Sequence, residues 1–169
     1  MGDHATGLRA NKMGLLDGVF DPPFRKRRNG RYTVNLSEGE RQLIEDLVID
    51  LRELLTTDSP MLQRLFPPPY GENEERNQGY SALAGSELVE RKFASLDLVT
   101  NTISAEDLSE DEVEAWMRSI NDIRLVLGTV LNVSEEKTFE TADEATQSLH
   151  DSYEYLGMLL ERIIRSLSS

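Results

Sequence analysis

Apolar residues recur every three to four positions along residues 109–131, which is the spacing of an amphipathic helix with one buried side. Ser109 and Glu112 have the spacing of a capping box, in which each side chain accepts a hydrogen bond from the backbone N–H of the other. We therefore predict a central helix that begins at Ser109. Its apolar side comprises Val113, Trp116, Met117, Ile120, Ile123, Leu127 and Leu131.

Three other stretches show the same helical period. A second capping box, Ser37 and Glu40, marks the start of the first one. Ser59 followed by Pro60 predicts a short helical turn after it, because Ser is a favoured N-cap and Pro suits the first helical position. Residues 71–85 are polar and acidic and fit either a weak helix or an ordered loop. The three stretches with helical period are predicted to form helices at 37–56, 86–103 and 143–167.

One segment before the first helix has strand character. Asn29 and Gly30 form the pair favoured in a two-residue type I′ turn, and Tyr32, Val34 and Leu36 alternate after it as in a half-buried strand. The sequence therefore predicts a small β-hairpin in front of the helices.

These elements predict an all-α fold, a helical bundle of four or five helices with a small N-terminal β-hairpin. Residues 25–169 are expected to form a single domain that includes the hairpin at 25–36, and residues 1–24 a flexible tail. No apolar run is long enough to span a bilayer, and no hydrophobic segment follows a basic start, so we expect a cytoplasmic protein. The oligomeric state is not determined by these patterns.

The net charge of −13 disfavours nucleic acid and anionic lipid as partners of the body of the protein. Five of the 18 Lys and Arg residues nevertheless lie within the hairpin: Arg25, Lys26, Arg27, Arg28 and Arg31. This arm could bind a phosphate or an acidic partner, and any direct contact with nucleic acid would involve it. The alternative, favoured by the lack of interleaved aromatic residues, is a solvated edge hairpin whose charges oppose aggregation.

Two cations lie on apolar helical faces, Lys92 in the second predicted long helix and Arg124 in the central one. Carboxylates from other elements would normally pair with such cations in a structural ion-pair network. The alternative is a pocket for an anionic ligand. We favour the buried ion pairs, which are commoner than pockets.

Residues 67–70 spell PPPY, the PPxY pattern that WW domains bind as a polyproline II helix. The run directly follows an apolar helical turn. A helix stop with an anchoring tyrosine is therefore the favoured interpretation.

The sequence carries no recognisable catalytic or cofactor motif. It contains no cysteine, which excludes disulfides, thiol nucleophiles and thiolate metal sites. Neither of its two histidines, His4 and His150, follows a glutamate at the Glu-x-x-His spacing of a helical metal-ligand pair. We expect a non-enzymatic protein without metal or cofactor. An enzyme based on paired carboxylates is the least favoured alternative.

Residues 115–117 and 121–129 together form an AWM-x-x-x-NDxRLxLGT pattern. With residues 62–70 and 153–161, this pattern resembles the actinobacterial AosR-like family, long catalogued as a domain of unknown function. The resemblance covers about residues 25–167. The core of the motif is Trp116, Asn121, Asp122 and Gly128.

The resemblance implies a mainly helical cytoplasmic protein that is encoded near the protease adaptor ClpS and near sulfur-carrier and cysteine-synthesis genes. A member of this family resembles an oxidative-stress transcriptional regulator that acts through a sigma factor and senses stress with a cysteine pair. Since this chain has no cysteine, that redox switch is missing here. The expected function is a regulatory interaction module that binds a sigma factor or another transcription component. The alternative is an accessory protein of the ClpS/Clp proteolysis system.

Overall fold

The computed structural model describes residues 22–66, 74–137 and 143–169, with side chains for 22–66, 87–132 and 143–169. Within these ranges four α-helices and a 3₁₀ helix stand beside a three-stranded sheet, which confirms the predicted fold class. The helices are α1 Glu38–Leu54, α2 Glu74–Asn101, α3 Glu110–Lys137 and α4 Glu144–Ser168, with the 3₁₀ helix at Pro60–Leu65. The strands are β1 Phe24–Lys26, β2 Tyr32–Val34 and β3 Asp107–Leu108.

Side-chain caps start the helices as the sequence predicts. The capping box of α1 is complete, because Glu40 N–H donates to Ser37 Oγ at 3.2 Å and Ser37 N–H donates to Glu40 Oε2 at 2.7 Å. Ser109 and Glu112 make the same reciprocal pair before α3, at 3.2 and 3.0 Å. Ser59 caps the 3₁₀ helix by accepting from Met61 N–H at 3.2 Å. These bonds satisfy backbone donors that a helix start leaves unpaired.

The predicted helix start at Ser86 is wrong, because α2 already begins at Glu74 and is 28 residues long. The polar, glycine-containing segment in front of Ser86 has no regular apolar period, so its helical state was not evident from the sequence. The central helix also continues past Leu131, its predicted end, as far as Lys137.

The hairpin turn has three residues, so the predicted two-residue type I′ turn is wrong. Gly30 N–H donates to Arg27 O at 3.1 Å, and Arg27 N–H donates to Arg31 O at 2.7 Å. Arg28 and Asn29 are thus the central residues of the turn, and Gly30 follows with φ 83°, which suits glycine. The strand order is β1-β2-β3 with antiparallel pairing, so β3 extends the hairpin into a sheet that the sequence did not predict.

Helix α3 is the centre of the fold, since α4, α2, α1 and the 3₁₀ helix all pack against it. Trp116 is fully buried, and its ring meets Phe24 edge to face with centroids 5.6 Å apart. Its indole N–H donates to Thr102 Oγ1 at 2.8 Å. Phe24 itself lies in β1, one residue before the predicted domain boundary at 25. This contact fixes the hairpin to the helical core.

Candidate functional site

The basic hairpin presents its cations to solvent. Arg25, Lys26, Arg27 and Arg28 are exposed, because β1 is an edge strand that points Phe24 into the core. Arg25, Lys26 and Arg28 make no ion pair with any residue that the structure describes. These three side chains remain available to an anionic partner.

The other two cations of the hairpin pair with Asp107 on β3. Arg31 Nη2 and Nε both donate to Asp107 Oδ1, at 2.7 and 3.2 Å, and Arg27 Nη1 lies 3.9 Å from Oδ2. The Arg31 guanidinium holds the pKa of Asp107 below its usual range. Asp107 therefore neutralises part of the hairpin and ties its turn to the rest of the domain. Sequence analysis missed this carboxylate because a two-residue strand leaves no periodic pattern.

Lys92 forms an ion pair with Asp122 between α2 and α3. The Lys92 Nζ to Asp122 Oδ2 distance is 3.0 Å, and both side chains are only 14% exposed. Lys92 Nζ also lies 5.8 Å from the centroid of the Phe66 ring, a cation–π distance. Burial raises the pKa of Asp122, although Lys92 and Arg118 oppose this shift. Lys92 thus has a carboxylate partner on another helix.

An open groove of about 580 Å³ surrounds this ion pair. On α2 the groove is lined by Leu88, Arg91 and Ser95 beside Lys92, residues whose spacing places them on one helical face. Helix α3 contributes Arg118, Asn121 and Asp122, so that two residues of the motif core line the groove. The spacing of these cations on each helix was visible in the sequence, but their meeting across the groove depends on helix packing.

Arg124 is on the other side of α3, because two positions along a helix correspond to a rotation of about 200°. Its guanidinium carbon lies 4.6 Å from the centroid of Tyr153 on α4. No carboxylate pairs with it among the residues described in the structure, and its Nε is buried without a hydrogen-bond partner. The structure therefore separates Lys92 from Arg124, and aromatic stacking takes the place of the ion pair expected for Arg124.

Two glycines allow the close packing around Tyr153. A Cβ at Gly157 would lie 3.0 Å from Arg124 Nε, and a Cβ at Gly128 would lie 2.9 Å from Arg64 Nη1 and 3.3 Å from the Tyr153 ring. All five residues belong to the three sequence segments that carry the family resemblance. The motif segments therefore meet at one packing site, where Gly128 has a structural role.

The described side chains contain no group of three His, Cys, Asp or Glu residues that could hold a metal ion. None of the helices in these ranges is long and apolar enough to cross a membrane. The PPPY segment at 67–70, His4 and most of the predicted tail lie outside the described residues.

Comparison with known proteins adds a family and one relative. The family model described as "Domain of unknown function (DUF2017)" matches residues 21–167. A Mycobacterium leprae (strain TN) protein named "Putative oxidative stress regulator AosR" is 25% identical over 65% of this chain, which spans 59% of that relative's length. No solved structure matches the chain significantly.

Proposed function

The chain belongs to the DUF2017 family, and from this premise we propose that it is a non-enzymatic regulatory protein that binds a protein component of transcription. The name of the Mycobacterium leprae relative supports a regulatory role connected with oxidative stress. A sigma factor is the partner that we propose first. The observation that carries the proposal is the hairpin, where Arg25, Lys26 and Arg28 are exposed and form no ion pair with the part of the chain that the structure describes.

Charge separation supports the hairpin as the contact surface. The protein as a whole carries a net charge of −13, so its body repels an acidic partner. The hairpin is the segment in which basic residues are concentrated, and such a local patch orients an approaching acidic surface. The edge-to-face contact between Phe24 and Trp116 holds the hairpin in place before binding. A pre-organised surface loses less conformational entropy when a partner binds.

This chain has no cysteine, so a disulfide switch is not part of the function that we propose for it. We assign to this chain the binding step of regulation rather than thiol chemistry. Any response to oxidants would then come from the partner or from a change in the amount of this protein.

The test is direct binding of the purified full-length chain to sigma factors and core RNA polymerase from the same organism. We expect that the double variant Lys26→Glu with Arg28→Glu weakens binding about tenfold or more at low salt, because rim charges steer acidic partners. Arg165→Glu is the control, since Arg165 is an exposed arginine on α4 that only pairs with Glu161 within its own helix. This control should change affinity by less than about twofold.

Failure of all these transcription proteins to bind would contradict the proposal. Equal weakening by the hairpin and control variants would remove the hairpin from it. Binding to ClpS or a Clp chaperone without binding to transcription proteins would instead favour the alternative function, an accessory role in proteolysis.

A further inference from the structure

The groove between α2 and α3 concentrates positive charge in an otherwise acidic protein. Arg91, Lys92 and Arg118 line it, and Asp122 is the acidic residue among the lining side chains. The protein carries a net charge of −13, so its overall field repels anions from most of its surface. The overall composition of the surface, which is acidic, does not account for a concave site with an excess of cations.

Most donors in the groove have no hydrogen-bond partner among the residues that the structure describes. Neither Arg91 nor Arg118 makes a hydrogen bond or ion pair with a residue that the structure describes. A guanidinium offers several N–H donors in a planar fork that matches a carboxylate or phosphate group. Lys92 gives one hydrogen bond to Asp122, and an ammonium has further protons to donate. Asn121 adds an exposed amide at the same rim.

The remaining lining consists of Leu88, Ala94 and Ser95. Leu88 is half-buried and Ala94 is exposed, and the stems of Arg91 and Lys92 add methylene groups. Pockets for small molecules combine an apolar lining with a few convergent polar groups in roughly 300–1,000 Å³. The groove has about 580 Å³ and fits this description.

We propose that this groove binds a small organic anion with one phosphate or carboxylate group on a compact apolar body. The anionic group contacts Arg91, Arg118 and the free protons of Lys92, and the apolar body lies against Leu88 and Ala94. This site is separate from the basic hairpin, and the proposal does not depend on the proposed partner.

Asp122 has a defined part in this proposal. Its carboxylate is the counter-charge of Lys92 and has the same sign as the ligand. A bound anion must therefore share Lys92 with Asp122. Removing the charge at position 122 should strengthen anion binding, whereas removing a cation of the rim should weaken it.

Isothermal titration calorimetry with four probes tests the proposal at constant ionic strength: phenyl phosphate, benzoate, inorganic phosphate and neutral benzamide. We expect phenyl phosphate or benzoate to bind at least about tenfold more tightly than inorganic phosphate and benzamide, because each carries both the charge and the apolar body. The stronger of the two identifies the preferred anionic group. Tight binding of either phenyl phosphate or benzoate supports the site.

Variants then locate the bound anion. Arg91→Gln and Arg118→Gln should each weaken binding about tenfold, a typical effect of losing a charge-assisted hydrogen bond. Asp122→Asn should strengthen it severalfold, and Arg165→Gln on α4 should leave it unchanged. Circular dichroism melts confirm that each variant is folded before titration.

Three outcomes would overturn the proposal. The first is no binding of either organic anion at millimolar concentration. The second is binding that Arg165→Gln or Lys26→Gln weakens as much as Arg91→Gln does, which would indicate general attraction to surface cations. The third is weaker binding by a folded Asp122→Asn protein.

Discussion

Arg124 and Tyr153 show how a single cation is accommodated without a carboxylate. The guanidinium carbon lies 4.6 Å from the ring centroid, and this cation–π contact contributes about 0.5–2 kcal/mol depending on how far the pair is desolvated. The stack requires that the facing helix present no side chain at Gly157, where a Cβ would lie 3.0 Å from Arg124 Nε. The position of a glycine thus decides whether the arginine can reach its aromatic partner.

We predict that Gly157→Ala lowers the free energy of unfolding by about 1 kcal/mol, because overpacking against Arg124 outweighs the helix propensity gained from Ala. Gly39→Ala is the control, since Gly39 lies in α1 and a Cβ there meets nothing within 4 Å. The control should be more stable by about 0.5 kcal/mol. Urea denaturation measures both changes.

The same measurement in an Arg124→Ala background tests the stated cause. Without the guanidinium, Gly157→Ala should become neutral or stabilising. A similar destabilisation in both backgrounds would show that the cost has another origin.

The sequence identified Lys92 and Arg124 as cations on buried faces, but it could not identify their partners. Lys92 meets Asp122, which is 30 residues away along the chain, and Arg124 meets Tyr153 on a different helix. Helical period determines which way a side chain points relative to its own helix. The partner depends on how the helices pack, which period alone does not specify.

At the level of secondary structure elements, the junction between α2 and α3 depends on one hydroxyl group. Thr102 Oγ1 accepts from the Trp116 indole N–H at 2.8 Å and donates to Leu98 O at 2.7 Å, and it lies just after the last residue of α2. This hydroxyl satisfies the polar atom of the largest fully buried side chain. It also fixes the end of α2 against the central helix.

We predict that Thr102→Val lowers the free energy of unfolding by about 1–3 kcal/mol, because the buried indole N–H loses its acceptor. Thr100→Val is the matched control, since Thr100 Oγ1 donates only to Leu96 O within α2. The tryptophan is the single one in the chain, so its fluorescence reports the change at this site directly. An equal effect of both substitutions would contradict the prediction.

Helix starts were predictable where local chemistry determines them and not elsewhere. Ser37 and Ser109 are each followed by a glutamate at the capping-box spacing, and both caps are present. Ser86 lacks such a partner and lies inside α2. Strand β3 was missed because its two residues are selected by pairing with β2, a contact far away in sequence. Long-range pairing leaves no signal in the local pattern.

For the protein as a whole, stability at acidic pH should depend on the ion pair between Arg31 and Asp107, which lies at the β3 edge of the sheet. The pKa of Asp107 is lowered in the folded state, chiefly by its hydrogen bonds with Arg31. A lowered pKa means that the folded protein binds a proton less readily than the unfolded chain. The resulting stabilisation is complete above the ordinary value of 3.8 and is lost as the pH falls through the folded pKa.

We predict that the difference in urea midpoint between the wild-type protein and Asp107→Asn is largest near neutral pH and shrinks as the pH falls below about 4. Asp151→Asn removes an exposed carboxylate from α4 and serves as the control for the change in net charge. Its difference from wild type should not follow the same curve. A constant difference for Asp107→Asn at all pH values would contradict the assigned role of Arg31.

The pair formed by Arg31 and Asp107 also has a consequence for the order of folding. The two residues are 76 positions apart, with α1 and α2 between them. The hairpin is a local structure that can form early, whereas β3 reaches it only after a long loop has closed. We therefore expect the basic surface to attain its final arrangement late in folding. A chain still being synthesised carries the five cations before it carries Asp107, so a newly made hairpin is more strongly basic than the mature one.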